Sequence, residues 1–358
     1  MVDIEELLRR LVETDGSDLH LKVGSPPLIR VDGSLRRTGE GSLLPDDTAR
    51  IAGFIMPPER RQGLEHLNEA DFAYSLAGVG RFRVNVFRQR GSVSIVMRRV
   101  RIGSPSFEDL GLPPVVRDLA DVPRGLVLVT GPTGSGKTTT LAAMVAHINA
   151  TKPLHILTIE DPIEVLHPDH VASVNQREVG VDTDDYLKAM RSAMREDPDV
   201  ILIGEMRDAE TVSAALAAAE TGHLVMSTLH TIDTTETVNR VVDFFPPYQQ
   251  HQVRVTLSGT LRGVICQRLV VRKGGGRVPA MEVMVSNGRI AERILVPELT
   301  TEIQDIIAQG AYYGMMTFDQ SLLSLVQQGI VAVEDALEAA SKPHDFGLML
   351  EQAGLKVA

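Results

Sequence analysis

Residues 131–138 read Gly-Pro-Thr-Gly-Ser-Gly-Lys-Thr, a full phosphate-binding loop, and the run before them, Gly125-Leu-Val-Leu-Val-Thr130, is short and apolar like a buried strand. Each part of the loop has a physical task. Glycines at 131, 134 and 136 let backbone N–H groups close around phosphate oxygens, the Lys137 ammonium reaches the β/γ-phosphates, and the Thr138 hydroxyl can ligand Mg²⁺. Pro132, Thr133, Ser135 and Thr139 complete the expected contact set. Residues 139–149 are helical in pattern, so the positive N-terminal end of that helix points at the same phosphates. Strand, loop and helix in this order predict a nucleotide site in an α/β fold.

Three more apolar runs, at 155–159, 199–203 and 224–229, alternate with helical stretches, notably 186–195 and 209–220. This alternation predicts a parallel sheet flanked by helices. Ligands bind outside the carboxyl ends of such strands, so the residues just after each run are the first candidates. The second run ends in Glu160-Asp161-Pro-Ile-Glu164, the third in Gly204-Glu205-Met-Arg207-Asp208 and the fourth in His230-Thr231. Carboxylates there can hold a metal through water or accept a proton from an attacking water. Glu205 follows its strand as a Walker-B acid does. Because Gly204 stands where many Walker-B strands carry a metal-binding Asp, metal anchoring is expected to fall to Thr138, Glu160 and Asp161. His223 and His230 bracket one strand, about 23 Å apart at 3.3 Å per residue, and cannot share a phosphate. His230 is at the ligand end, whereas His223 is placed to order a turn or a subunit contact.

The first hundred residues carry short strand-like runs bounded by Gly-Ser-Pro-Pro and Gly-Val-Gly, predicting an α+β module with an antiparallel sheet. In Arg81-Phe-Arg-Val-Asn-Val-Phe87 the apolar residues fall on one side and Arg81, Arg83 and Asn85 on the other. Such an arginine ladder is either a solvated sheet face or a surface for a nucleotide or acidic partner. The turn-rich segment 101–118 reads as a linker, giving an α+β domain over 1–100, a nucleotide-binding core over 119–290 and a helical region over 291–358. In that last region residues 299–309, 317–329 and 333–340 are the predicted helices. The acidic start and the lack of an apolar run of about eighteen residues predict cytosolic residence. A net charge of −11 disfavours a nucleic-acid partner, and a single cysteine, Cys266, excludes an intrachain disulfide and reads as a buried hydrophobe.

The chain resembles the secretion and pilus motor ATPases, above all the retraction motors of type IV pili that drive twitching motility. The resemblance is carried by Ser17-Asp-Leu-His-Leu-Lys22, Arg81-Phe-Arg-Val-Asn85, the phosphate loop with its leading strand, Ile156-Leu-Thr-Ile-Glu-Asp-Pro-Ile-Glu164, Arg195-Glu-Asp-Pro-Asp199, Gly204-Glu-Met-Arg-Asp208 and Thr221-Gly-His-Leu-Val-Met-Ser-Thr-Leu-His-Thr231. It covers residues 15–285, with looser likeness beyond. It implies a RecA-like P-loop core preceded by a small PAS-like domain, assembled as a homohexamer on an inner-membrane pilus platform protein at the cytoplasmic face, with no membrane contact of its own. By the same resemblance Glu160 to Glu164 look like the family's Asp box, Glu205 like its catalytic glutamate, and His223 and His230 like its His box. Glu164 then joins Glu205 in positioning water, ATP and Mg²⁺ are the implied ligands, and Arg81 and Arg83 become candidates to approach the phosphates. Arg195 and Arg240 are weaker candidates for interface roles. The family's retraction motif, Ala-Ile-Arg-Asn-Leu-Ile-Arg-Glu, is replaced here by Arg289-Ile-Ala-Glu-Arg-Ile-Leu-Val296, which keeps only the apolar spacing. Pilus extension or secretion therefore stays open beside retraction, as does a nucleotide-gated scaffold ring with little turnover.

Overall fold

A computed structural model describes residues 2–355. Two compact units divide between Ile102 and Gly103. In the first, six antiparallel strands lie in the order Ser34–Arg37, Leu28–Val31, Asp18–Leu21, Ser92–Arg99, Gly80–Gln89, Glu69–Leu76. One sheet face buries Leu19, Leu21, Phe82, Val84, Val86, Ile95 and Met97 with apolar residues of the helices Ile4–Glu13 and Pro45–Ile55. The first helix shows why. Asp3 caps it by accepting from the Glu5 amide at 2.9 Å, and Ile4, Leu7, Leu8 and Leu11 form the i, i+3, i+4, i+7 stripe that turns to the sheet. Along Gly80–Gln89 burial alternates as the sequence predicts, with Arg83 exposed and Arg81 and Asn85 half-buried opposite the buried Phe82, Val84 and Val86.

The second unit is built on a seven-stranded sheet in the order Ser173–Glu178, His155–Glu160, Val200–Ile203, Leu224–Leu229, Gly125–Thr130, Leu261–Val271, Arg277–Val285. Every neighbouring pair is parallel except the last. Helices cover both faces, so the central strands are buried throughout and read as continuous apolar runs. Lys137–Thr151 and Pro114–Ala120 pack one face through Val116, Leu119, Met144 and Ile148, while Ala209–Glu220 and Thr234–Asp243 pack the other through Val212, Ala215, Val238 and Val241. Each large side chain so buried is worth about 1.5–3 kcal/mol. Beyond the sheet lie Gly288–Leu295, a 3₁₀ turn Pro297–Glu302, Ile303–Ala308, Phe318–Gln327, Val333–Ala339 and Pro343–Gln352. No helix among the described residues is long and apolar enough to cross a membrane.

Residues 101–118 are more ordered than their turn formers suggest. Ser106 and Asp109 form a capping box on Phe107–Leu110, Gly111 ends that helix in the left-handed region at φ 67°, and Pro114 opens the next. Their turn-forming residues are helix caps, and Phe107, Val115, Val116 and Leu119 belong to the core of the second unit. Cys266 is fully buried, as expected. Burial, with the Glu282 carboxylate adding to it, pushes its thiol up to about 12.

Candidate active site

Parallel pairing brings the strand ends together. Thr130 is in register with Leu229, Ser227 with Ile203, and Ile203 with Ile159. The chain therefore leaves four adjacent strands at one edge of the sheet, delivering the phosphate loop, His230, Glu205 and the 160–164 loop side by side. They surround a cleft of 560 Å³ whose walls include Thr133, Gly134, Gly136, Lys137, Thr138, Thr139, Glu160, Asp161, Glu164, Glu205 and His230. All of them belong to the second unit.

Lys137 is buried, and its Nζ donates to the carbonyl oxygens of Gly131 at 2.8 Å and Pro132 at 3.1 Å. Burial lowers its pKa, and the carboxylates of Glu205 and Glu164 oppose that shift. Within the loop Ser135 is buried, 3% exposed, with its carbonyl accepting from the Gln267 side chain. Thr138 and Thr139 follow at the first turn of the helix. Its leading amides and dipole face the cleft, as an anion site requires.

Glu205 is largely buried; its carboxylate is ion-paired to Arg207 and lies 3.4 Å from His230 Nε2. A water beside this carboxylate would meet a base already oriented by two cationic or donor groups. The Thr228 hydroxyl donates to the Gly204 carbonyl at 2.7 Å, fixing the backbone turn that aims Glu205 into the cleft. Glu160, 8% exposed, accepts at Oε1 from Thr158 Oγ1 at 2.7 Å and Gln176 Nε2 at 3.1 Å. Burial raises its pKa despite those bonds. Asp161 and Glu164 are exposed on the following loop. Among the described residues no group of three or more His, Cys, Asp or Glu side chains forms a metal cage. Mg²⁺ needs no such cage, since it keeps waters and takes one or two protein oxygens plus substrate phosphates, and Thr138 with a neighbouring carboxylate fits that donor set.

The structure does not bring His223 to the cleft. It precedes the strand Leu224–Leu229, with Nδ1 2.9 Å from the Ala218 carbonyl and 3.2 Å from Thr221 Oγ1, closing the C-terminal end of the helix Ala209–Glu220. The whole strand separates it from His230, and within this chain its contacts are those of a turn. Arg81 and Arg83 lie on Gly80–Gln89 in the first unit. Arg195 donates to the Arg191 carbonyl at 3.1 Å and Arg240 stacks on Phe244 at 4.6 Å; neither lines the cleft. Among the cleft residues without a sequence assignment are Arg207, Tyr186, His167 and Arg277. Arg207 could have been found, since it sits two residues past a strand-end carboxylate. Tyr186 opens a helix of unremarkable pattern, and burial, then the carboxylates of Asp161 and Glu205, raise its pKa. Only tertiary structure reveals that.

Comparison with known proteins agrees with this architecture. Residues 75–276 match the family model for type II/IV secretion system proteins. The chain is 47% identical over 345 residues to the type IV pilus retraction ATPase PilT of Pseudomonas aeruginosa, covering 96% of this chain and 100% of that protein. It is 45% identical over 315 residues to a twitching motility protein of Neisseria gonorrhoeae, covering 88% and 84%. A crystal structure of the pilus retraction motor PilT with bound ADP superposes with a TM-score of 0.87 at 46% identity, covering 96% of this chain and 99% of that one. The α/β core, the preceding antiparallel sheet domain and the trailing helices are thus those the sequence resemblance implies, and the chain belongs to the type II/IV secretion system protein family.

Proposed function

We propose that this chain is the ATPase that powers type IV pilus retraction, with the cleft beside residues 131–138 as its hydrolytic site. The observation that carries the reading is the convergence of Lys137, Glu164, Glu205 and His230 at the ends of adjacent parallel strands, in a chain alike from end to end to a retraction motor. In this mechanism the amides of residues 133–138 and the Lys137 ammonium take the phosphate oxygens, and Lys137 exchanges its two loop carbonyls for them. Mg²⁺, held by Thr138 and a carboxylate of Glu160 or Asp161, would neutralise charge on the β- and γ-phosphates. Glu205, oriented by His230 and Arg207, takes a proton from a water whose oxygen bonds to the γ-phosphorus as the bond to the β,γ-bridging oxygen breaks, releasing ADP and phosphate. Glu164 positions that water, and His230 reports the γ-phosphate. Arg81 and Arg83 are the proposed phosphate-approaching arginines of the first domain. His223 orders the turn before its strand or a contact with the next subunit.

The motor works as a homohexamer on a membrane-embedded pilus platform protein, at the cytoplasmic face of the inner membrane. In the stretch that departs from the retraction motif, the helix Gly288–Leu295 keeps Ile290 and Ile294 in the core. That packing keeps the helix docked on the core despite the changed polar residues. The test is a strain lacking the gene. Surplus surface pili and lost twitching, uncorrected by the Glu205→Gln chain, are the expected result. Loss of pili would instead identify an extension or secretion motor, and a purified protein without ATP turnover would identify a nucleotide-gated ring.

A further inference from the structure

Gln267 lies outside every motif, yet its side chain packs directly against the phosphate loop. It is 1% exposed on Leu261–Val271, one residue beyond Cys266, which is in parallel register with Thr130 at the loop's entry. Both ends of its amide are in use: Nε2 donates to the Ser135 carbonyl, and Oε1 accepts from Thr140 Oγ1 at 2.8 Å, one turn into the following helix. The loop approaches this residue closely. A Cβ added at Gly131 would stand 2.3 Å from the Gln267 carbonyl oxygen, and one at Gly136 would stand 3.0 Å from Nε2.

The peptide joining Ser135 to Gly136 is trans, so its C=O and N–H point in opposite directions. Tying the carbonyl to Gln267 behind the loop turns the Gly136 N–H the other way, toward the cleft that Gly136 and Lys137 line. Without that tie, a flip of the peptide would present a carbonyl oxygen, partly negative, to the phosphates. We propose that Gln267 is a positioning residue for nucleotide, holding the phosphate loop in its anion-binding form by fixing the Ser135–Gly136 peptide, with Thr140 bracing the amide from its oxygen end. The Ser135 carbonyl can only accept and so takes the NH₂, which leaves Oε1 for the Thr140 hydroxyl to donate to. This inference rests on the nucleotide-binding reading of the cleft.

The experiment compares ADP affinity, ATPase KM and kcat, and nucleotide-free melting temperature for the wild-type chain and three variants. Gln267→Met keeps length and volume and removes both bonds. Gln267→Glu keeps an acceptor for Thr140 and loses the donor to Ser135, whereas Thr140→Val keeps that donor. The expected result is about a tenfold or greater rise in Kd for ADP and in KM for the first two, with kcat less affected and melting within a few degrees, and a smaller rise for Thr140→Val. A purely structural strut would lower the melting temperature and leave the Kd of the folded protein at the wild-type value. Wild-type ADP affinity in Gln267→Met, or in Gln267→Glu if the Met variant does not fold, overturns the proposal. Thr140→Val decides in the same way should neither fold: unchanged affinity overturns it, weakened affinity upholds it. A wild-type chain that fails to bind ADP would sink the nucleotide reading itself, a separate outcome.

Discussion

Gly131 and Gly134 belong to one loop and carry one side-chain hydrogen each, yet the structure assigns them different costs of substitution. Gly131 has φ +142°, and an added Cβ would meet the Gln267 carbonyl oxygen at 2.3 Å and Ser135 Oγ at 2.7 Å. The backbone conformation alone costs an alanine about 1–3 kcal/mol. The contact with a main-chain oxygen inside a strand adds to that, because neither partner can rotate away. Gly134 has φ +79° with nothing within 4 Å of the added carbon, so Gly134→Ala carries only the left-handed penalty of about 1–2 kcal/mol. At about 1.4 kcal/mol per factor of ten, Gly134→Ala should weaken ADP binding by roughly 5- to 30-fold and Gly131→Ala by about 100-fold or more. Fluorescent-ADP titration of both variants, with nucleotide-free melting curves as a folding control, measures the difference. Equal losses in the two, or wild-type affinity in Gly131→Ala, would refute the reasoning that the loop is shaped by close approach to strand Leu261–Val271.

Three further outcomes follow from the site and the core. Glu205→Gln should lower kcat by about 10²–10⁴, the usual worth of a positioned general base, with nucleotide affinity kept; unchanged turnover would remove Glu205 from the mechanism. Cys266, with its thiol pushed up to about 12 by burial and Glu282, should resist a thiol reagent at pH 8 in the native protein and react once unfolded. Rapid native labelling would contradict its burial. Half-buried His167 is lowered to about 4 by burial, so the folded protein disfavours its charged form. Its contribution to stability is present above the ordinary value of 6.5 and is lost as pH falls from there toward 4, by no more than about 3 kcal/mol and less for the part of the ring that water reaches. His167→Gln should flatten that part of the pH–melting profile, and a profile of undiminished slope would show that other groups carry it.

Much of the second unit was readable because its central strands are buried on both faces and so appear as unbroken apolar runs. The strand Gly125–Thr130 and the helix Ala209–Glu220 fall at their expected limits. Strand-end reasoning then found Glu164, Glu205 and His230, since in a parallel sheet position along the chain determines position at the ligand edge. What escaped had no such signature. Ser34–Arg37 is exposed at all four residues and shows no alternation. Pro247–Thr260 is mostly polar, with four buried residues in fourteen, too few to mark a face. The 101–118 segment looked like a linker because helix caps and turns use the same residue types. Gln267 sits in an apolar run where a lone amide gives no sign of its two partners, whereas the seven-residue spacing from His230 already put His223 at the far end of its strand, against its motif resemblance.

The most direct test of the account is steady-state ATP hydrolysis by the full chain beside Lys137→Ala. Lys137 is the buried cation whose two loop carbonyls mark where phosphate oxygens would take their place. Measurable wild-type turnover that falls to background in Lys137→Ala, with the fold intact, is the result predicted here; a variant that hydrolyses ATP at the wild-type rate would show that this cleft is not where the fuel is consumed.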